Sequence, residues 1–156
     1  MSPVAAQQVL SSLTLLSQPR GLQKIRQLKE NCNYFRWQLL SMGYHCLGDW
    51  DSPIIPVMIY RPSALVFISR ECLKHHVAVV VVGFPATSLL TARVRICISA
   101  CHTRSDLDYC LKVLQHAGNL TGSLMKQRSP KELPSLERLI QCAADTKASL
   151  LVSQLN

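Results

Sequence analysis

Aromatic and acidic residues are both scarce in this 156-residue chain, with nine rings (Phe 3, Tyr 4, Trp 2) and nine Asp+Glu. Without rings, a core has to be built from Val, Leu, Ile and Ala, and the 48% hydrophobic fraction supplies them. That composition is globular rather than disordered, and the length suits one ordinary domain with terminal extras. No apolar run approaches the ~18–20 residues that span a bilayer. The longest, Val77-Ala-Val-Val-Val-Val82, is short and β-branched, so it is expected to form a strand buried on both faces. No charged start and apolar h-region follow Met1. No GxGxxG, no Gly-Lys-Ser/Thr phosphate loop and no HExxH occur, which excludes those nucleotide and zinc signatures.

The shortage of acids leaves 17 Lys+Arg in excess and a net charge of +8. The basic residues are scattered, and no Arg/Lys run interleaves with aromatics. A solvated basic surface, or a chain separated from an acidic complement, explains this better than nucleic-acid binding. Cysteine is plentiful at seven, but the number is odd and the spacings irregular. Buried free thiols in a reducing compartment fit better than disulfides. Cys72 with His75 and His76, or Cys97 with Cys101 and His102, form no paired zinc spacing, so no metal site is expected.

Ser2-Pro3 marks a helix start, with Val4, Val9, Leu10, Leu13 and Leu16 on one face and a break at Gln18-Pro19-Arg20-Gly21. Residues 22–42 have the strongest helical period: Leu22, Ile25, Leu28, Cys32, Phe35, Leu39 and Met42 recur every three or four positions, and Gly43 stops them. Residues 44–48 form a short strand. Residues 53–60, with two prolines, form a strand expected at an edge or with a bulge. A helix over 63–75 turns Leu65, Ile68, Cys72 and Leu73 inward. Residues 93–100 alternate strictly: Arg93, Arg95, Cys97 and Ser99 on one face, Val94, Ile96, Ile98 and Ala100 on the other. Thr103 and Asp106 form a capping box for a helix carrying Leu107, Cys110, Leu111, Leu114 and Ala117, closed by Gly118. The sum is an α+β sandwich of three to four mostly antiparallel strands with helices on one face, preceded by a long helix.

Three places carry candidate chemistry. Arg95 sits mid-strand between Val94 and Ile96 on a strand expected to be largely buried, where a guanidinium needs a partner. Either an internal carboxylate or a ligand anion meets that need, and spacing does not choose between them. Gly83-Phe84-Pro85-Ala86-Thr87 is an irregular loop at a strand end, a substrate-contacting position or a plain structural turn. His102 stands at a strand-to-helix junction as a base or a ligand. It cannot pair with Cys101 as base and nucleophile, because neighbours on a strand face opposite ways.

Two of these segments carry a resemblance. VVVVGFPAT (79–87) and ARVRICISACHT (92–103), together with DSPIIP (51–56), ENCNYFR (30–36) and MSPVAAQQ (1–8), closely resemble the C-terminal region of the α-oxoamine synthases. These are fold-type I pyridoxal-phosphate enzymes, and the match is to the catalytic long-chain-base subunit of serine palmitoyltransferase. It runs in order over residues 1–122.

The resemblance implies a condensation of L-serine with an acyl-CoA, palmitoyl-CoA in this family, to 3-ketosphinganine in sphingolipid biosynthesis. It implies pyridoxal 5'-phosphate as cofactor and a non-catalytic long-chain-base subunit as heterodimer partner. The implied location is the cytosolic face of the endoplasmic reticulum membrane, or the cytosol for a free fragment. The family's second arginine of an Arg-x-Arg strand, Arg95 here, holds the substrate carboxylate. Its Pro-Ala-Thr loop, Pro85, Ala86 and Thr87 here, lines the substrate and acyl-CoA side; a second proline that usually follows is replaced by Ser88. The family's Schiff-base lysine lies in a Thr-Lys-Ser-Phe-Gly type segment, and none of the seven lysines has those neighbours. The expected organisation is helices linking to an absent large domain (1–43), a small α+β domain (44–122), and a divergent tail with a linker and a helix over 135–153 (123–156). Such a chain carries no catalytic residue of its own and is inactive alone. The alternative is a non-catalytic module that docks on the partner subunit.

Overall fold

The computed structural model describes residues 2–50 and 52–124. Ser2-Pro3 opens α1 (Pro3–Ser17) as expected, and the expected break falls at Gln18, in extended conformation; Pro19 then begins α2 (Pro19–Ser41), three residues earlier than the apolar period alone marks. Proline is well placed at a first helical position, where the missing N–H has no intrahelical partner anyway. The apolar face of α1 finds no cover: the helix buries none of its residues. The stripe on α2 finds cover only in its second half. Leu22 and Ile25 are exposed, whereas Cys32, Phe35 and Leu39 are buried.

Four strands, β1 (His45–Cys46), β2 (Ile54–Met58), β3 (Val80–Val82) and β4 (Arg93–Cys97), form one antiparallel sheet in the order β1-β2-β4-β3. Two further α-helices, α3 (Pro62–Lys74) and α4 (Arg104–Thr121), and a single 3-10 turn (Leu89–Thr91) complete the described elements. The core forms where the inner sheet face meets the helices. Ile55, Val57, Val94, Ile96 and Ile98 cluster with Phe35 and Leu39 of α2, Leu65 and Ile68 of α3, and Leu107, Leu111 and Leu114 of α4. The four-stranded antiparallel α+β unit matches the expected class.

Two strand expectations are corrected. The prolines placed β2 at an edge or with a bulge; it is not at an edge but lies between β1 and β4. The ladder to β1 pairs only Val57 and Met58, and so ends before Pro56 would have to donate. Beyond that end, Leu47 N–H still donates to the Pro56 carbonyl at 2.9 Å. The Leu47 carbonyl, which a donor at position 56 would have served, accepts from Arg36 Nη1 at 2.6 Å instead. The second correction concerns 77–82. Its strand is only three residues long, it forms the sheet's outer edge beside β4, and Val80 and Val81 are 46% and 38% exposed rather than buried on both faces.

The helices also shift in detail. Leu65, Ile68 and Cys72 of α3 face inward, but Leu73 is exposed, since the next step of about 100° carries it off the buried face. The capping box at Thr103 is present in full. Gly118 does not close α4; the helix runs on to Thr121 and ends at Gly122 in the left-handed conformation. Gly118 serves close approach instead. The buried Tyr44 hydroxyl donates to the Leu114 carbonyl at 2.7 Å, and a Cβ at Gly118 would collide with that hydroxyl. The expected helix over 135–153 lies outside the described residues, as does the tail from residue 125.

In a helix interior, Gly→Ala normally stabilises by about 0.5–1 kcal/mol. At position 118 the sign should reverse. Gly118→Ala is expected to cost about 1–3 kcal/mol through overpacking, seen as a Tm several degrees lower, and Tyr44→Phe in the same chain should recover part of the loss.

Candidate functional site

The site follows from the pairing of β4. It is hydrogen-bonded on both sides, to β2 (Ile54↔Cys97 through Met58↔Arg93) and to β3 (Val80↔Arg95 through Val82↔Arg93). That double pairing fixes its register and the two-residue alternation read from the sequence. Val94, Ile96 and Ile98 are buried; Arg95, Cys97 and Ser99 are exposed. The strand proper ends at Cys97, earlier than expected, although Ile98 N–H still reaches the Pro53 carbonyl at 2.9 Å.

Arg95 therefore differs from the expectation in one respect. Its strand is interior, but its side chain lies on the outer face between Pro56 and Val80, and it is exposed. Among the described residues no carboxylate pairs with it and no hydrogen bond holds it. The internal salt bridge that spacing left open is not formed there. Arg93 is half-buried, and its Nε has no partner among the described residues.

The buried arginine is a different one, and nothing in its local pattern marks it. Arg36 on α2 is 2% exposed. Its Nη1 donates to the Leu47 and Gly48 carbonyls at 2.6 and 3.2 Å, and its guanidinium lies 6.0 Å from the Trp50 ring. Burial lowers its proton affinity. The neighbouring thiols do not neutralise it, because burial pushes Cys46 up to about 12 and raises Cys32 as well. The thiol expectation is corrected at two positions: Cys97 and Cys101 are exposed, while Cys32 and Cys72 are buried.

A cleft of about 420 Å³ opens beside Arg95, lined among others by His76, Cys97, His102, Asp106 and Tyr109. His102 acts in the turn: its Nδ1 accepts from Ser99 N–H at 3.2 Å, and its carbonyl accepts from Asn31 Nδ2 at 3.0 Å. Asp106 is committed to the cap. Its carboxylate accepts from the Thr103 hydroxyl at 2.7 Å and the Thr103 N–H at 2.9 Å, and these bonds, with nearby His102, hold its proton affinity below the usual carboxylate range. The loop of Pro85, Ala86 and Thr87 does not join this cleft. It leaves β3 after Val82, opposite Arg93, whereas Arg95 pairs with the other end of that strand. Pro85 and Ala86 are exposed, and Thr87 Oγ1 is buried without a partner among the described residues.

A Schiff base to pyridoxal phosphate needs a lysine amine. No lysine lines the cleft, so its residues do not fit covalent retention of that cofactor. Away from the cleft, Glu71, His75 and His116 bring three donor atoms together. The Glu-x-x-x-His spacing was visible in the sequence, but the approach of His116 was not.

The long chain base biosynthesis protein 2d of Oryza sativa subsp. japonica is 47% identical over 143 residues, 89% of this chain and 29% of that protein. Serine palmitoyltransferase 2 of Dictyostelium discoideum is 47% identical over 124 residues, 77% of this chain and 25% of that protein. The chain belongs with the serine palmitoyltransferases and long chain base biosynthesis proteins. It spans less than a third of the length of these curated relatives. No protein-family model matches it. Among solved structures, serine palmitoyltransferase from S. paucimobilis with a bound PLP–myriocin aldimine superposes with a TM-score of 0.61 at 26% identity, over 66% of this chain and 26% of that one. The fold is thus that of a segment of a fold-type I pyridoxal-phosphate enzyme.

The cap gives the site an acid limit. Because folding depresses the Asp106 carboxyl, its contribution is present above about pH 4 and lost as pH falls through the lower folded value. Glu71, depressed by Lys74 and by His75 and His116, adds in the same direction. Urea denaturation between about pH 5 and 3 should show a steeper loss of stability for the unmodified chain than for Asp106→Asn.

Proposed function

We propose that this chain forms the substrate side of a serine palmitoyltransferase, in which a pyridoxal-phosphate-dependent enzyme condenses L-serine with palmitoyl-CoA to 3-ketosphinganine. In this reading Arg95 binds the serine carboxylate. The observation that carries it is an arginine without a protein partner among the described residues, on a strand whose register is held from both sides. A planar fork in that setting suits a carboxylate bidentately, and its low-mobility base reduces the ordering cost of binding. Pro85, Ala86 and Thr87 line the acyl-CoA path from the other end of β3. Pyridoxal phosphate supplies the electron sink for carbanion chemistry when bound, and its lysine belongs to another part of the whole protein. The chain alone is inactive.

The exposed apolar residues favour an accompanying reading. Val4, Val9, Leu10 and Leu13 on α1, with Val80 and Val81 at the sheet edge, are surface that a larger assembly covers. The rest of the enzyme and its non-catalytic long-chain-base subunit, at the endoplasmic reticulum membrane, are the proposed occupants. A module that only docks there, without serving catalysis, is the alternative. No helix among the described residues is long and apolar enough to cross a membrane.

The test is a hybrid enzyme. This chain replaces the matching segment of the Dictyostelium serine palmitoyltransferase 2, and serine-dependent condensation is measured with the partner subunit present. Losing a charged hydrogen bond of about 1.5–3 kcal/mol corresponds to roughly 10- to 100-fold. Arg95→Ala should therefore raise the serine KM by that factor and leave the KM for palmitoyl-CoA unchanged. An unchanged serine KM contradicts the assignment, and a hybrid that assembles without turnover supports the docking module.

A further inference from the structure

The end of α3 and the middle of α4 bring three metal-ligating side chains together, away from the Arg95 cleft. Glu71 and His75 stand four residues apart and so share a face at the last turn of α3. His116 reaches them from α4. His75 Nε2 lies 3.7 Å and His116 Nε2 lies 3.9 Å from the same oxygen, Glu71 Oε1. All three donor atoms fall within 4.8 Å of one another. Tetrahedral bonds of about 2.1 Å put neighbouring donors roughly 3.4 Å apart, so movements on the order of 1 Å close the set around an ion. Both imidazoles are half-exposed and free to make them.

The surroundings define the free donor. Glu71 is buried, and its other oxygen, Oε2, accepts from Lys74 Nζ at 2.8 Å, which leaves Oε1 for the imidazoles. The Tyr109 hydroxyl donates to the His75 carbonyl at 3.2 Å and steadies the C-cap that carries the ring. A cleft of about 210 Å³, lined by His75, Tyr109, Lys112, Val113 and His116, leaves room for water on the remaining coordination positions. Lys74 and Lys112 are the cations that oppose binding.

We propose that Glu71, His75 and His116 form a binding site for a zinc-class divalent transition ion, with water completing its coordination. Two imidazoles and one carboxylate are a donor set that zinc accepts with a position left open. Imidazole donors also disfavour magnesium and calcium. The ion joins α3 to α4, and because it binds the folded chain it raises the chain's stability with occupancy. The competing arrangement is a plain ion-pair network of Glu71 with protonated imidazoles, which binds no metal.

The test is a Co²⁺ titration of the reduced 156-residue chain, with cobalt as the spectroscopic stand-in for zinc. One ion should bind, with visible d–d absorption, no thiolate charge-transfer band and a rise in Tm. His116→Ala, at a half-exposed side chain, and Glu71→Gln should each weaken binding at least about tenfold and remove the Tm rise. Replacing Cys97 and Cys101 by Ser should leave binding unchanged. Absence of binding, binding that survives both ligand substitutions, or a thiolate band lost with the two cysteines overturns the site.

Discussion

The capture of two backbone carbonyls by Arg36 is the interaction on which the described fold depends. Pro56 has no N–H to give, so β2 cannot complete a ladder with β1 beyond Val57. The carbonyl of Leu47, itself an exposed residue, is left without a ladder donor. Arg36 meets that need from α2 and takes the Gly48 carbonyl as well. Gly48, at φ 85°, takes the left-handed conformation that lets the chain turn there, which a residue with a side chain rarely adopts. Desolvating a guanidinium costs several kcal/mol. The charged hydrogen bonds, about 1.5–3 kcal/mol each, offset much of that. One arginine thus ties the long helix to the sheet at the point where the sheet is weakest.

That junction bears on the candidate site through β2. Leu47, held by Arg36, donates to the Pro56 carbonyl, and β2 presents Ile54 to Met58 to β4 in a single register. β4 then has its inner residues filled by the helices and its outer residues left to face whatever covers the sheet. Arg95 is on the outer side for the same reason that Val94 and Ile96 are on the inner one. The two arginines divide the labour: Arg36 serves the fold, and Arg95 is left without a protein partner among the described residues. A guanidinium held in that way on a doubly paired strand suits the carboxylate role proposed for it.

The sequence disclosed what depends on local period. The alternation of β4, the inward faces of α3 and α4, and the Thr103–Asp106 box were legible because each is settled within a few residues. Burial that depends on distant chain was not. The Leu22 and Ile25 stripe has the right spacing but no neighbour, and the valines of β3 look like core yet lie at an edge. Arg36 reads in sequence as one charged position on a helix flank, and only the arrival of Leu47 and Gly48 buries it. Gly118 looks like a helix stop until Tyr44 is seen against it. For Arg95, period assigned the correct face, but whether that face is covered was not a local property.

The central claim, that Arg36 is structural and Arg95 is not, is tested most directly by urea denaturation of Arg36→Met beside Arg95→Met. Arg36→Met removes two charge-assisted hydrogen bonds of about 1.5–3 kcal/mol each, partly offset by the loss of a desolvated charge, and should cost about 2–4 kcal/mol. Arg95→Met should change stability by no more than about 0.5 kcal/mol, as surface substitutions do. Equal losses for the two, or a larger loss at Arg95, would contradict the account.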